Sequence, residues 1–273
     1  MLIDGLDSAL VPASDRGLQY GDGLFETIAV ADGQPLLWHH HVERLHAGCT
    51  RLGIHAPDEA VLRTEGERLW RGQGQAVLKI IVTRGSGGRG YRPDPAAQPR
   101  RILSLHPWPE YPQPRATTGV HARLCETRLG INPRLAGLKH LNRLEQVLAR
   151  AEWDEPAIAE GVMLDAEGFL VEGTMSNLFL VRDGVLRTPA LDRCGVAGVM
   201  RARLLELAEQ LALHVDIERL TLDDLRGADE AFFCNSIIGV WPLARFDTHE
   251  YEVGPITQRL QQALALTGGQ DDA

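Results

Sequence analysis

Lysine is scarce in this sequence. Of the 28 lysine and arginine residues only two are lysines, Lys79 and Lys139. Arginine therefore carries nearly all of the positive charge, and a guanidinium group stays protonated and cannot act as a nucleophile. A lysine amine, in contrast, can lose its proton and attack a carbonyl group. The two lysines are therefore candidates for a chemical role that arginine cannot perform.

Long apolar runs and an excess of positive charge are also missing. No segment approaches the roughly 20 apolar residues that span a bilayer. The N-terminus carries acidic residues where a secretory signal carries basic ones. The formal net charge of -9 argues against a general nucleic-acid-binding protein, which presents a basic face. We therefore expect a cytoplasmic protein that binds neither nucleic acid nor membrane.

Residues that could bind a metal or form disulfides lack the necessary spacing. The cysteines lie far apart and form no CxxC pair, so we expect reduced, mostly buried thiols at Cys49, Cys125, Cys194 and Cys234. Three consecutive histidines occupy positions 39–41, but no HExxH motif accompanies them. We interpret the histidines as a solvated helix start and predict no metal site.

A proline-rich run separates two blocks of the chain. Residues 106–115 read HPWPEYPQPR, and their prolines remove backbone donors and restrict φ, so this run is predicted to be neither helix nor central strand. We predict an N-terminal domain over 1–107, a linker over 108–115 and a C-terminal domain over 116–273.

Apolar periodicity predicts mixed helices and strands in both blocks. In the first block it predicts strands at 24–30, 76–84 and 101–106, and helices at 41–54 and 58–71. In the second block it predicts a strand at 119–125, hairpins within 161–173, 177–189 and 229–243, and helices at 199–213 and 255–267. Such hairpins indicate an antiparallel or mixed sheet. A further helix is predicted to start with a capping box at Asn142 and Glu145 and to carry an apolar stripe of Leu141, Leu144, Leu148 and Ala151.

Two glycine-containing segments and one acid allow alternative interpretations. GSGGRG at 85–90 is followed by prolines that forbid a dinucleotide-binding helix, so it is either an arginine-bearing loop that meets an anion or a surface hairpin. Gly195 and Gly198 precede a helix whose first amides could cradle a phosphate, although many helices start after glycine. Glu172 either faces water or, if buried, needs a cationic partner such as a protonated ring nitrogen.

An amine, a phosphate cradle and an acid are together what pyridoxal phosphate requires of a protein. The segments SDRGLQYGDGLFET, HVERL, VTRGSGGRGY, LKHLNRLEQVLAR, EGTMSNLF and GVAGVMR follow one another in this order. The chain thereby resembles the fold-type IV, or branched-chain aminotransferase-like, pyridoxal phosphate enzymes. RGSGGRGY and KHLNR are most similar to the lyases of that superfamily that act on 4-amino-4-deoxychorismate.

The resemblance implies an α+β fold with two domains, an N-terminal α/β sandwich and a C-terminal mixed-sheet, barrel-like domain. It implies pyridoxal 5'-phosphate as the cofactor, a homodimer, and conversion of aminodeoxychorismate to 4-aminobenzoate and pyruvate in folate biosynthesis. Two alternatives remain open. One is a transaminase of D-amino acids or branched-chain amino acids, and the other is a non-catalytic phosphate-binding protein.

The resemblance also implies cofactor contacts. Lys139 matches the lysine that binds the cofactor covalently, and Glu172 matches the acid that pairs with the pyridine nitrogen. Arg44 matches the arginine that binds the phosphate. Further phosphate contacts are implied for the backbone amides of Val199 and Met200 and for the side chain of Ser236.

Substrate contacts are implied for residues of the first block. Thr27 is expected to assist proton transfer near the substrate. Lys79 lies where branched-chain transaminases place a carboxylate-binding arginine, although it could instead extend past the sheet as a solvated side chain. Phe25 replaces a tyrosine of D-amino acid transaminases. The candidates for binding the substrate carboxylates are Lys79, Arg84, Arg89 and Tyr91.

Overall fold

The computed structural model describes residues 1–111 and 114–266, which divide into two compact units. Unit 1 combines Met1–Pro109 with the short segment Lys139–Asn142. Among the described residues, unit 2 comprises the rest of the chain, from Glu110 to Leu138 and from Arg143 to Leu266. Residues 112 and 113 of the predicted linker lie outside the described residues, and the domain boundaries at 107 and 116 stay a prediction.

Unit 1 is an antiparallel sheet with helices. Its strands are β1 (Leu2–Ile3), β2 (Leu6–Asp7), β3 (Gly23–Ala31), β4 (Gln34–Pro35), β5 (Gln75–Thr83) and β6 (Arg100–Pro107). Its helices are α1 (Arg16–Tyr20), α2 (Trp38–Leu52) and α3 (Glu59–Trp70). The strand order is β2-β1-β6-β5-β3-β4, and all of these pairs are antiparallel.

The alternation of side chains along β3 explains how this sheet is covered. Leu24, Ile28 and Val30 are buried, whereas Phe25 and Thr27 are only partly buried. Successive side chains of a strand point to opposite faces. Helix α2 contacts β3. One face of β3 is therefore part of the core, and the other is partly accessible at Phe25 and Thr27.

Unit 2 contains a larger mixed sheet. Its strands are β7 (Val120–Leu124), β8 (Ile158–Leu164), β9 (Leu170–Gly173), β10 (Asn177–Arg182), β11 (Val185–Pro189), β12 (Val215–Glu218), β13 (Glu230–Asn235), β14 (Gly239–Phe246) and β15 (His249–Glu250). Its helices are α4 (Arg115–Thr118), α5 (Leu144–Arg150), α6 (Val199–Gln210), α7 (Leu222–Arg226) and α8 (Pro255–Leu266).

The sheet of unit 2 curls on itself. Its order is β12-β11-β10-β13-β14-β7-β8-β9, with β15 paired to β14. Strand β9 at one end also contacts β10 and β11 near the other end. The predicted hairpins β8–β9, β10–β11 and β13–β14 are all antiparallel, whereas β7 runs parallel to both of its neighbours. Asp183 and Gly184, with φ of 51° and 77°, supply the left-handed residues that a two-residue hairpin turn needs.

Three predictions about local structure had different outcomes. All four cysteines are free and buried, as expected. The proline-rich run was predicted to be neither helix nor central strand, but β6 continues to Pro107 and α4 begins at Arg115, the last residue of the run. Within β6, strand β1 pairs with Ile102 and Leu103 and does not reach Pro107, so the β1-facing edge of β6 is open there and no donor is required.

The predicted capping box and apolar stripe of α5 are both wrong. The helix begins at Leu144 without a side-chain cap, because both side chains bond elsewhere. The Asn142 side-chain amide donates to the Gly21 carbonyl, and the Glu145 carboxylate accepts from the Gly130 backbone amide. Leu144 and Leu148 are 75% and 61% exposed, and Ala149 is the residue of α5 that is buried.

Within residues 1–111 and 114–266 there is no helix whose length and hydropathy would let it cross a membrane.

Candidate active site

The segment Lys139–Asn142 extends the edge of β3. Strand β4 pairs only with Val30 and Ala31, which leaves the first half of that edge open. The Phe25 amide donates to the Lys139 carbonyl at 3.0 Å, and the Leu141 amide donates to the Gly23 carbonyl at 3.0 Å. These bonds place Lys139 opposite Phe25, so the two side chains share a face of the sheet.

Both lysines of the chain lie over one aromatic ring. The Lys139 Nζ is 4.4 Å from the centroid of the Phe25 ring, and the Lys79 Nζ is 5.5 Å from it. Lys79 is the cross-strand neighbour of Thr27. The structure therefore brings Lys139, Lys79 and Thr27 together around Phe25, at distances suited to cation–π contacts.

On the opposite face of β3, the Glu26 carboxylate binds two residues of α2. Its oxygens accept from the Arg44 Nε at 2.9 Å and from the Arg44 Nη2. The His41 Nδ1 lies 2.6 Å from Oε2. Burial acts to raise the pKa of Glu26, but the charge of Arg44 and the hydrogen bond from His41 outweigh it and hold the pKa at about 2. Glu26 is therefore an ionised carboxylate with 1% exposure.

His41 does not belong to a solvated helix start as predicted. The side chain is completely buried, and burial lowers the pKa of its imidazole, which is therefore neutral at pH 7. A neutral ring donates from Nδ1 to the Glu26 carboxylate, and its Nε2 finds no acceptor or donor among the described residues. His39, in contrast, is exposed, and its Nε2 lies 3.4 Å from the Glu43 Oε1. Burial of His41 reflects its position on the sheet-facing side of α2.

Arg84 is one of the predicted substrate-binding residues, but its guanidinium is engaged within unit 1. It donates to both oxygens of Asp22, at 2.8 and 3.0 Å, and to the carbonyls of Leu52 and Gly53, at 2.8 and 2.7 Å. The residue is 8% exposed. This geometry gives Arg84 a structural role in joining the start of β3 to the end of α2.

Arg89 and Tyr91 lie on the loop after β5 and not on the sheet face that carries Lys79. Both are exposed, and the Tyr91 ring packs edge-on against Tyr20 at 5.5 Å. Arg16 holds the end of this loop by donating to the carbonyls of Gly90 and Tyr91 at 2.9 and 3.0 Å. The loop is thus anchored through its backbone, while the two candidate side chains remain accessible.

In unit 2, Glu172 is buried on β9 with 4% exposure. Its Oε2 accepts from the Val196 amide at 2.8 Å, and its Oε1 accepts from the Gln146 Nε2 at 3.3 Å. The acid therefore does not simply face water. Its position is set by a backbone amide of the glycine-containing segment 195–198 and by a side chain of α5.

The same segment leads into α6 and is held by Asn177. The Asn177 Nδ2 donates to the Val196 carbonyl at 2.8 Å. Gly198 is the N-cap residue, and α6 has no side-chain cap. A Cβ at Gly198 would lie 2.0 Å from the Asn177 Oδ1, so only glycine fits this close approach. The first amides of α6, at Val199 and Met200, are arranged as an anion site at a helix N-terminus requires.

Ser236 lies in the turn between β13 and β14 and is half-buried. Asn235 fixes this turn, because its Oδ1 accepts from the amides of Ile237 and Ile238 at 2.8 and 2.9 Å. Its Nδ2 donates to the Met175 carbonyl at 3.0 Å. The turn that carries Ser236 is therefore tied to the loop between β9 and β10.

Comparison with known proteins identifies the family. The model of the class IV aminotransferases matches residues 23–246. The chain belongs to this family. The predicted superfamily is thereby confirmed.

Relatives within the family cover nearly the whole chain. An aminodeoxychorismate lyase of Vibrio harveyi is 41% identical over 266 residues, which are 96% of this chain and 98% of that protein. The crystal structure of 4-amino-4-deoxychorismate lyase from Pseudomonas aeruginosa has 52% sequence identity and a TM-score of 0.93, covering 96% of this chain and 97% of that one. A putative branched-chain-amino-acid aminotransferase of Methanocaldococcus jannaschii is 32% identical, over 93% of this chain and 90% of that protein. The likeness to the Pseudomonas structure confirms the predicted fold class.

Several residues of the site were not identified from the sequence. Glu26 alternates with the apolar Leu24 and Ile28, and this pattern indicates a buried charge that needs a cationic neighbour. Gln146 and Asn177 lie within motifs that carried the resemblance, but no local pattern assigns them a contact. Their roles depend on pairings with Glu172 and Val196 that are distant along the chain.

Proposed function

We propose that this protein is a pyridoxal phosphate-dependent lyase that converts 4-amino-4-deoxychorismate to 4-aminobenzoate and pyruvate. The identities support a lyase over a transaminase. They are 41% and 52% for the lyases of Vibrio harveyi and Pseudomonas aeruginosa, against 32% and 26% for two relatives named as branched-chain aminotransferases. We also propose a homodimer in the cytoplasm.

The observation that carries the proposal is the position of Lys139. The backbone of Lys139 is part of the sheet edge, while its amine lies over the accessible face. A nucleophilic amine needs such fixed placement, because correct orientation supplies a large part of catalysis. The other lysine, Lys79, lies on the same face but within the central strand β5.

The donor groups fit pyridoxal phosphate. Lys139 would hold the cofactor covalently, and Glu172 would keep its ring nitrogen protonated because a buried carboxylate favours a cationic neighbour. Arg44, the amides of Val199 and Met200, and Ser236 would bind its phosphate. When bound, the cofactor acts as an electron sink for a carbanion at the amine-bearing carbon of the substrate.

Residues of the chain then control protons and orientation. The Lys139 amine would act as the base that removes the proton from the amine-bearing carbon of the substrate. The electron pair of that C–H bond becomes part of the new aromatic ring, the C–O bond to the enolpyruvyl group breaks, and enolpyruvate takes up a proton to give pyruvate. We assign Thr27 to assist this proton transfer and Lys79, Arg89 and Tyr91 to bind the substrate carboxylates. Aromatisation provides much of the driving force, so the protein mainly positions groups.

Borohydride reduction followed by peptide mapping tests the cofactor and the lysine together. We expect one stable pyridoxyl adduct, on Lys139, in protein saturated with pyridoxal phosphate. Lys139→Arg should lose the adduct and the lyase activity, whereas Lys79→Arg, the matched control, should retain the adduct. An adduct on Lys79, or none in the wild-type chain, would refute the proposal.

A second assay separates the lyase from a transaminase. The wild-type protein should release pyruvate from aminodeoxychorismate. Formation of keto acids from D-alanine or branched-chain amino acids with 2-oxoglutarate, without lyase activity, would instead identify a transaminase.

A further inference from the structure

We propose that Glu26, together with His41, is a positioning residue that orients Arg44 for a phosphate group. The inference rests on the proposed function, which gives Arg44 its phosphate. Neither Glu26 nor His41 has a role in the reaction described above. Both are nonetheless buried polar groups, which are costly to keep in a core unless their contacts compensate.

The contact between Glu26 and Arg44 fixes the plane of the guanidinium. Two of its nitrogens, Nε and Nη2, donate to the two carboxylate oxygens. A pair of parallel hydrogen bonds defines the orientation of both groups, which a single bond does not. Glu26 is itself held in β3 by pairing with Ile80 of β5. The direction in which Arg44 presents its other N–H groups is therefore determined by the sheet.

His41 completes the arrangement from the preceding turn of α2. Its Nδ1 contacts Oε2, the oxygen that also accepts from the Arg44 Nη2. His41 and Arg44 are three residues apart, a spacing that places them on the same side of a helix. The imidazole therefore fixes the carboxylate from a second direction and prevents it from rotating away from Arg44.

The charge of the pair leads to a test that distinguishes orientation from net charge. Glu26 and Arg44 are together neutral, so Glu26 weakens the long-range attraction of Arg44 for an anion. If net charge decided phosphate binding, Glu26→Gln would strengthen it. If orientation decides, as we propose, the same substitution weakens it, because an amide cannot accept both bonds. The two explanations thus predict changes of opposite sign.

The experiment compares pyridoxal phosphate with pyridoxal, which lacks the phosphate. The dissociation constant of each compound is measured from the absorbance of its lysine adduct. Glu26→Gln should lower the affinity for pyridoxal phosphate roughly 10- to 100-fold, which is the effect of losing a charge-assisted hydrogen bond. The affinity for pyridoxal should change less than about 2-fold, because that compound has no group for Arg44. His41→Leu should show the same selective loss, and His41→Asn, which keeps a donor near the Nδ1 position, should restore part of the affinity.

Glu65→Gln is the matched control. Glu65 is a carboxylate with 6% exposure in the same unit, and it accepts from the Arg101 Nε at 2.9 and 3.0 Å and from the Arg101 Nη2 at 2.6 Å. Its replacement should lower thermal stability without changing the ratio of the two dissociation constants. If Glu26→Gln does not fold, Glu26→Asp, which shortens the side chain but keeps the charge, should show the selective loss.

The outcomes separate the inference from the proposed function. Equal weakening of both compounds, an unchanged affinity or tighter binding of pyridoxal phosphate would overturn the role of Glu26. In each of those cases the wild-type adduct on Lys139 would still support the lyase. Failure of the wild-type protein to bind either compound would refute the proposed function itself.

Discussion

Replacement of Gly198 by alanine tests how the phosphate cradle is built. The added Cβ would lie 2.0 Å from the Asn177 Oδ1, far inside van der Waals contact. Asn177 is 5% exposed and donates to the Val196 carbonyl at 2.8 Å, so its side chain has little room to move without breaking that bond. The substitution should therefore disturb the segment that precedes α6.

The magnitude follows from two costs. Forcing an extra carbon into a packed site costs about 1–3 kcal/mol, and loss of the hydrogen bond to the partly buried Val196 carbonyl costs about 1 kcal/mol. We therefore expect Gly198→Ala to lower the free energy of unfolding by on the order of 3 kcal/mol. The affinity for pyridoxal phosphate should fall as well, because the phosphate-binding amides of Val199 and Met200 come directly after Gly198 in the chain and would move with it.

Urea unfolding of a double-mutant cycle provides the assay. Asn177→Ala removes the atom that clashes, so the double variant should be no less stable than Asn177→Ala alone. Gly74→Ala is the control, because a Cβ there meets nothing within 4 Å, and its effect should stay within about 0.5 kcal/mol. Additive effects of the Gly198 and Asn177 substitutions, or a neutral Gly198→Ala, would refute the proposed close packing.

Further predictions concern unit 1. Arg84→Ala should lower the free energy of unfolding by about 2 kcal/mol in urea titrations, because Asp22 keeps its ion pair with Arg16 but the carbonyls of Leu52 and Gly53 lose their donor; a neutral effect would contradict the structural role of Arg84. Arg89→Ala should leave stability unchanged and raise KM more than it lowers kcat, and unaltered kinetics would remove Arg89 from the substrate site. The pKa of Glu26 is about 2 in the folded chain, below the value of 4.5 that is usual for a solvated glutamate. Its ionised form therefore stabilises the fold above pH 4.5 by on the order of 3 kcal/mol, and this contribution is lost as the pH falls towards 2. Urea titrations of the wild type and Glu26→Gln should therefore converge as the pH is lowered from 7 to 3, and a constant difference would contradict the depressed pKa.

The elements predicted best from the sequence are those defined by local periodicity. Alternation predicted a strand over 24–30, and β3 spans Gly23–Ala31. The helix predicted over 58–71 is α3, Glu59–Trp70, with Asp58 as its cap. The Asp-Gly pair at 183 and 184 is a sequence signal for a hairpin turn, because both residues readily adopt the positive φ that they have in the structure. In each case the signal and the structure involve neighbouring residues.

Features that depend on distant contacts were predicted poorly. Asn142 and Glu145 have the spacing of a capping box. In the folded chain, however, the Asn142 side chain donates to the Gly21 carbonyl and the Glu145 side chain accepts from the Gly130 backbone amide. Arg84 follows a strand and precedes a glycine-rich loop, which suggested a ligand contact, yet Asp22 engages it. A local pattern contains no information on which partner is nearer in the folded chain. The roles of Lys139 and Glu172 came from the resemblance to a family and not from periodicity.

The register of β3 connects the two faces of unit 1. Phe25 and Thr27 point to the face that carries both lysines, and Glu26 between them points to Arg44. A shift of the strand by one residue would exchange these faces, moving the carboxylate towards the lysines and Phe25 into the core. The pairing of β3 with β5, which runs from Gly23–Thr83 to Ala31–Gln75, prevents such a shift. One strand thereby sets the surroundings of the Lys139 amine and the orientation of the Arg44 guanidinium together.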